Sequence, residues 1–375
     1  MTGGQRQAAA LTGLDAALAL LLAELAPVAP IDLDVADALG SIAAAMPPLA
    51  AALPARSIAM TDGFALRAVD LAGASSYTPV PLSAPPVWVE AGDVLPEGCD
   101  CVLDAGAIEQ AGPLTQAVAD AIPGAGVRRV GEDLPAGGHA LVAGRRIGVV
   151  DEMIARRAGQ GEVSVRRPRV RIIDVPATRG NATTIGLVAA QLRGAGAQLD
   201  RTVAAGRDAA SVSKAIAGAD CDLLITVGGT GAGRNDAAVA ALAAHATLIH
   251  GLALQPGRTA AAGRIGTMPV VAVPGAPDQA LAVWWTLVQP VLDRLSGRLP
   301  RRAAVKPLLR KIASTVGMTD LVLLQDAGEG WLPLAVGDLP LRALAAADAW
   351  LAVPAHSEGF ATGTPVGGSP LREGV

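Results

Sequence analysis

From Asp222 to Asp236 the chain reads Asp-Leu-Leu-Ile-Thr-Val-Gly-Gly-Thr-Gly-Ala-Gly-Arg-Asn-Asp. An apolar run, Leu223 to Val227, enters a turn with glycines at 228, 229, 231 and 233, and an alanine-rich helical pattern follows. Glycines in such a turn leave backbone N–H groups free to approach an anion at a helix N-terminus. The turn carries one guanidinium, Arg234, and ends on a carboxylate, Asp236. That is the layout of a phosphate-handling loop with an acid beside it. Glycine-rich strand-to-helix turns also serve plain packing, and this segment alone does not separate the two uses.

The surrounding pattern says what holds the turn. From Arg169 onward short apolar runs alternate with helical periods. Val170 to Ile173, Leu223 to Val227 and Val270 to Val273 read as strands, and 182–195, 209–218, 236–245 and 278–295 as helices. Strands alternating with helices predict a doubly wound parallel sheet, with ligands at the carboxyl ends of its strands. The glycine turn and Pro274-Gly-Ala-Pro277 both follow such ends, and two loops of this type can close over one ligand. Upstream, 13–25 and 32–45 read as helices, the second capped by Asp32 or Asp34. Proline-broken, partly alternating segments between 50 and 150 predict a β-rich module, and strand patterns beyond Pro300 (320–324, 330–334 and 349–353) a small barrel. The expected organisation is α/β plus β and multidomain. It comprises 1–45 with 140–168 as a helical linker domain, 46–139 β-rich, 169–297 α/β, and 298–375 a C-terminal β-barrel.

Composition narrows the function classes. A length of 375 residues predicts several domains and an ample core. Hydrophobic content is 51% with only 2% aromatic, so alanine carries it, and lysine occurs only at 214, 306 and 311 among 30 basic residues. A net charge of −4 leaves no electrostatic footprint for nucleic acid. The apolar stretch Ala16 to Leu22 is too short to span a bilayer, and no export signal is expected. Cys99, Cys101 and Cys221 form no CxxC pair and read as buried thiols, which predicts a reducing, cytoplasmic setting. The four histidines are scattered, so a zinc site of the HExxH type is not expected.

A run of motifs then resembles a known family almost end to end. Ser57-Ile-Ala-Met-Thr-Asp-Gly-Phe-Ala-Leu66 with Asp70, and Ala91-Gly92-Asp93 followed by Leu95 to Val102, are similar to two of its signatures. Arg128-Arg-Val-Gly-Glu-Asp133, the 222–236 turn, Gln255-Pro-Gly-Arg258, Pro274-Gly-Ala-Pro277 and Pro290 to Gly297 continue them in order. The family is that of MoeA and the gephyrin E domain, the molybdopterin molybdenumtransferases. The resemblance implies an enzyme of molybdenum cofactor biosynthesis that takes adenylylated molybdopterin and molybdate as substrates. Molybdate is inserted at the dithiolene and AMP is released, with Mg2+ or Zn2+ assisting. It also implies an elongated homodimer of four-domain subunits whose α/β domain binds the pterin nucleotide.

Site residues carried over by the resemblance are Gly228, Gly229, Gly231, Gly233, Arg234, Asp236, Arg258, Pro274 and Gly275 for the pterin nucleotide. Asp62, Asp133 and Arg128 are the catalytic candidates, and Asp62 and Asp236 the metal candidates. An anionic substrate pair needs backbone donors, arginines and carboxylates that hold a divalent ion. Each candidate keeps a plainer alternative: Asp62 a turn cap, Asp133 a backbone cap, Arg128 a surface charge.

The chain departs from the family where chemistry is expected. Ala91 replaces a threonine, Asp93 an alanine, Gln255 and Arg258 two lysines, Thr259 a proline, Ala276 an asparagine, Gly231 a serine, and Arg234 an acid. After Ile173 an acidic signature gives way to Asp174-Val-Pro-Ala-Thr178, and the loop is shorter before Asn181. Arg258 keeps a cation, whereas Gln255 removes one. A charge-assisted hydrogen bond of the kind lost there is worth roughly 1.5–3 kcal/mol. Three functions follow. The chain is a transferase with a remodelled site, a molybdopterin carrier or chaperone for a client molybdoenzyme, or a scaffold that uses the dimer alone. The intact glycine turn argues against the last.

Overall fold

The strand Leu223–Val227 is buried at every position, as a strand must be when helices cover both faces of its sheet. It lies inside a six-stranded sheet. In chain order the members are β1 (Arg169–Asp174), β2 (Gln198–Val203), β3 (Leu223–Val227), β4 (Thr247–His250), β5 (Ala261–Ile265) and β6 (Met268–Val273). Their spatial order is β2-β1-β3-β6-β5-β4. The first four of that order run parallel, and β5 and β4 complete the sheet antiparallel. The helices between them are α1 (Thr183–Gly194), α2 (Ala209–Ile216) and α3 (Ala238–Ala243). After β6, α4 (Pro277–Val283) continues through a π-helical segment, Trp284–Val288, into α5 (Gln289–Ser296). Pro290 has no N–H for an intrahelical bond, and the wider π turn absorbs that loss. Gly297 (φ 65°) closes the helix in the left-handed conformation.

The computed structural model describes residues 10–176, 183–233 and 236–372. Contacts divide the chain into two compact units, one of residues 1–45, 143–152 and 161–375, the other of 46–142 and 153–160. In the larger unit, side chains alternate between two cores with the period of two that a strand imposes. Leu223, Ile225, Val271 and Val273 pack with α1, α4, α5 and the N-terminal helix Leu14–Leu22. Leu224, Val270 and Ala272 pack with α2 and α3. The C-terminal strands Thr319–Asp326, Trp331–Val336, Ala349–Val353, Pro365–Pro370 and Ala304–Pro307 form one sheet. A bridge between Leu308 and Trp331 brings its ends together, so the small barrel expected from the sequence forms.

One expected helix is absent. Residues 32–45 form a strand, Ile31–Asp34, a turn, and a second short strand, Ile42–Ala43, both paired with Glu162–Arg166. The Asp34 carboxylate accepts from Ala36 N at 2.8 Å, and Gly40 sits at φ 80°. Local carboxylate capping of a turn competes with helix, and pairing with a strand more than a hundred residues away decides the outcome. The smaller unit is built of short strands, as its proline-broken sequence predicts. Among the described residues no helix is long and apolar enough to cross a membrane.

Candidate functional site

The chain passes from β1 through α1 to β2, then returns past β1 to form β3. The strand order therefore reverses between β1 and β3, the position at which sheets of this kind bind their ligands. Four segments meet at this edge. Val175 N donates to Val227 O (3.0 Å), and Gly228 N donates to Val273 O (2.9 Å), so the ends of β1, β3 and β6 are tied in series. Because β5 and β4 are antiparallel and Ala261 pairs with Ala272 and His250, the 250–260 segment arrives at the same edge.

The glycines are required by this crowding. Gly228 and Gly229 hold φ of 92° and 68°, where side-chain-bearing residues are strained. A Cβ on Gly228 would lie 3.1 Å from Val175 O, and one on Gly229 3.1 Å from both Val175 Cγ1 and Ala238 Cβ. A Cβ on Gly275 would sit 3.6 Å from Gly228 Cα, so the Pro274-Gly275 turn and the glycine turn touch. A Cβ on Gly231 or Gly233 would meet Asp236 Oδ2 at 2.8 or 2.9 Å. The N–H groups of Gly229, Ala232, Gly275 and Ala276 have no backbone partner among the described residues, which leaves donors of the kind an anion needs.

Asp236 closes the turn on itself. Its Oδ2 accepts from Gly233 N at 3.1 Å and its Oδ1 from Arg207 Nη2 at 2.5 Å. Arg207 Nη1 donates to Pro176 O at 2.5 Å, so one guanidinium ties the chain just past β1 to the glycine turn. A second tie is made of hydroxyls. Thr230 Oγ1 and Thr259 Oγ1 are 3.2 Å apart, and His250 Nε2 lies 3.2 Å from Thr230 O. Thr259 neighbours Arg258, which is exposed. Thr184, in the first turn of α1, donates to Gly275 O at 2.6 Å. The structure therefore brings together Gly228, Gly229, Gly231, Gly233, Asp236, Pro274 and Gly275, with Arg258 adjoining them. Arg234 lies outside the described residues, as do Thr178 and Asn181.

Asp62, Arg128 and Asp133 lie in the smaller unit. Residues Ile58–Ala59 form its organising strand, paired on one side with Val127–Arg128 and flanked on the other by 92–95. Asp62 follows this strand and is exposed. Its Oδ1 accepts from Ala91 N at 2.8 Å, which braces the turn where the threonine-to-alanine and alanine-to-aspartate departures fall. Asp93 Oδ2 accepts from Glu90 N in the same turn. Arg128 and Asp133 pair with each other at 3.1 Å with side chains 35% and 27% exposed, so each already meets an opposite charge.

Arg207, Thr184, Thr230 and His250 are site residues that sequence reasoning missed. The usable signal was position: Arg207 follows the carboxyl end of β2, and His250 ends a strand at the same edge. Strands β2, β4 and β5 were themselves unread, because the exposed edge strand β2 carries charge and β5 contains a glycine.

Comparison with known proteins agrees with this geometry. Residues 12–159 match the MoeA N-terminal region (domain I and II), and residues 176–294 match a family described as a probable molybdopterin binding domain. Molybdopterin molybdenumtransferase 1 of Mycobacterium tuberculosis is 27% identical over 397 residues, spanning 89% of this chain and 93% of that one. Molybdopterin molybdenumtransferase 2 of the same organism is 28% identical over 296 residues, spanning 68% and 73%. The fold is similar to the crystal structure of the molybdopterin biosynthesis MoeA protein of Pyrococcus horikoshii, with a TM-score of 0.72 and 24% identity over 97% of this chain and 100% of that one. With both family regions matched in order along one chain, this protein belongs to the MoeA family.

Proposed function

We propose that the protein is a molybdopterin molybdenumtransferase. It accepts adenylylated molybdopterin and molybdate, transfers molybdenum to the dithiolene and releases AMP in molybdenum cofactor biosynthesis. The observation that carries this reading is the convergence of loops from β1, β3, β5 and β6 on the glycine turn, where the strand order reverses. Backbone donors from two turns, with Arg258 and Arg207 nearby, suit a ligand bearing phosphate oxygens. Such donors do not depend on side chains, so the substitutions at Gly231 and Ala276 leave binding intact. Relatives that span most of the chain carry the enzyme's name, which favours the enzyme over a carrier.

Asp62 is the acid we assign to catalysis. One of its oxygens is held by Ala91 N, and its exposed carboxylate keeps the capacity to take a proton or bind a cation. A divalent ion would supply charge neutralisation for the departing phosphate. The described residues contain no group of three or more His, Cys, Asp or Glu that could hold such an ion, and both Asp236 oxygens are engaged. Asp236 could reach an ion only by releasing Arg207. Arg128 and Asp133 support the reaction as a neutralised pair that positions the 127–133 segment. The working molecule on this reading is a cytoplasmic homodimer that delivers to a client molybdoenzyme.

Complementation of a molybdenumtransferase-deficient strain, read as nitrate reductase activity, tests the reading. Rescue by the wild type and its loss in Asp62→Ala support it. Absence of rescue by a well-expressed wild type refutes it.

A further inference from the structure

None of the residues assigned to the transfer reaction lies in the C-terminal barrel, yet its surface carries a cavity of about 540 Å³. Arg310, Lys311 and Thr362 line one part of it, and residues 333–336 the rest. The chain bends at Leu309 and Arg310. Two consecutive cations therefore face one cavity, where a regular strand would turn them to opposite sides. A bond of 2.7 Å from Arg310 Nη2 to Pro333 O holds the guanidinium at the rim. The apolar wall belongs to the strand Trp331–Val336, in which Val336 remains 37% exposed.

Among the described residues no carboxylate lines the cavity. Among the same residues Lys311 makes no ion pair or hydrogen bond, and Arg310 is bonded to a neutral carbonyl. Glu373 is the one acidic residue outside the described residues. The strand Pro365–Pro370, about 20 Å long, separates Thr362 from it in the chain. Two neighbouring positive charges without a countercharge favour an anion between them. The exposed Thr362 has no hydrogen-bond partner among the described residues, and its hydroxyl adds a donor.

The wall itself limits what can bind. Trp331–Val336 is an edge strand paired with Thr319–Asp326, and its ladder shifts register between Leu323 and Leu324. Pro333 lacks an N–H in the same stretch. Proline and a bulge keep an edge from accepting another strand, which disfavours an added peptide. We propose that the cavity binds a small phosphate monoester carried on an apolar body. A dianionic phosphate matches two cations and a hydroxyl, and the apolar body covers residues 333–336. The volume falls within the range of roughly 300–1,000 Å³ common for small-molecule sites.

The test is calorimetric titration of the full chain with hexyl phosphate, hexanoate and inorganic phosphate, in buffer free of other oxyanions. Hexyl phosphate should bind saturably and at least tenfold tighter than inorganic phosphate, because its chain leaves water. Hexanoate, with a single charge, should bind at least tenfold more weakly than hexyl phosphate. Lys311→Gln should weaken hexyl phosphate about tenfold, and Lys311→Arg should keep most of the affinity. Val336→Ser should lower the affinity for hexyl phosphate and leave that for inorganic phosphate unchanged. These variants alter exposed side chains, and a melting temperature close to wild type shows that the barrel is intact. The carboxyl-edge loops also attract phosphates, so Arg258→Gln is titrated alongside, and binding should survive it. Absence of saturable binding, hexanoate or phosphate bound as tightly as hexyl phosphate, or affinity lost in Arg258→Gln but kept in Lys311→Gln would each overturn the proposal.

Discussion

Replacing Arg207 with alanine removes two hydrogen bonds at once, to the Asp236 carboxylate and to Pro176 O, each at 2.5 Å. The ion pair is sheltered, with side chains 21% and 15% exposed. A charge-assisted bond of this kind is worth about 1.5–3 kcal/mol, and a neutral one about 1 kcal/mol. Residual exposure screens the pair, which places the combined loss at about 2 kcal/mol. The loss is local, because the strands beneath keep their pairing. It therefore appears as an ordering cost that the ligand must meet, and affinity should fall about thirtyfold. The assay is calorimetric titration of AMP, the product of the proposed reaction, with hydrogen exchange across 227–233 as a second readout. Arg207→Ala should bind AMP about thirtyfold more weakly and exchange faster in the glycine turn, with a melting temperature changed by only a few degrees. In a double-mutant cycle with Asp236→Ala the two effects should not add. AMP affinity within threefold of the wild type would refute the view that this ion pair holds the loops in their binding arrangement.

Four further outcomes are expected. Asp62→Ala should abolish AMP release while leaving AMP binding and the melting temperature close to wild type, and activity retained in that variant would remove Asp62 from the chemistry. Gly228→Ala forces a Cβ into the left-handed region beside Val175 O, a strain of about 1–2 kcal/mol. A melting curve and an AMP titration should show lower stability and binding weakened more than tenfold. Burial pushes the Cys101 thiol up to about 11, so at pH 8 only about one molecule in a thousand carries the thiolate. A disulfide reagent should modify Cys101 only after unfolding, and rapid labelling in the native protein would contradict its burial. Asp208 caps α2 by accepting from Ser211 N, which lowers its carboxyl below the usual range. A depressed folded value contributes stability that is present above the unfolded value of about 3.9 and is lost as pH falls through the folded one. Asp208→Asn should flatten the acid limb of a stability-versus-pH curve.

What the sequence disclosed followed strong periodicity. Leu223–Val227, α1 and the long helix after Pro277 were legible because burial imposes regular apolar spacing. The glycines at 228 and 229 were legible because few other residues fit a left-handed turn. The 32–45 segment misled because its apolar spacing suits a helix, while pairing with Glu162–Arg166 is invisible locally. Two parts of the site were hidden for a related reason. Arg207 and Asp236 are 29 positions apart, and so are Thr230 and Thr259; only the sheet order brings them together. Thr259 looked like the loss of a family proline, yet its hydroxyl meets that of Thr230 and links two loops. Asp62 reads in the sequence as a carboxylate on a turn, but its bond to Ala91 N depends on strand pairing that no local pattern reveals.

The most direct test of the proposed reaction is AMP release by the purified protein, supplied with adenylylated molybdopterin and molybdate. Molybdate-dependent formation of AMP, equimolar with molybdenum-loaded cofactor and lost in Asp62→Ala, is the predicted result. Tight binding of adenylylated molybdopterin with no AMP formed at any molybdate concentration would contradict it and leave the protein a binder of the pterin nucleotide alone.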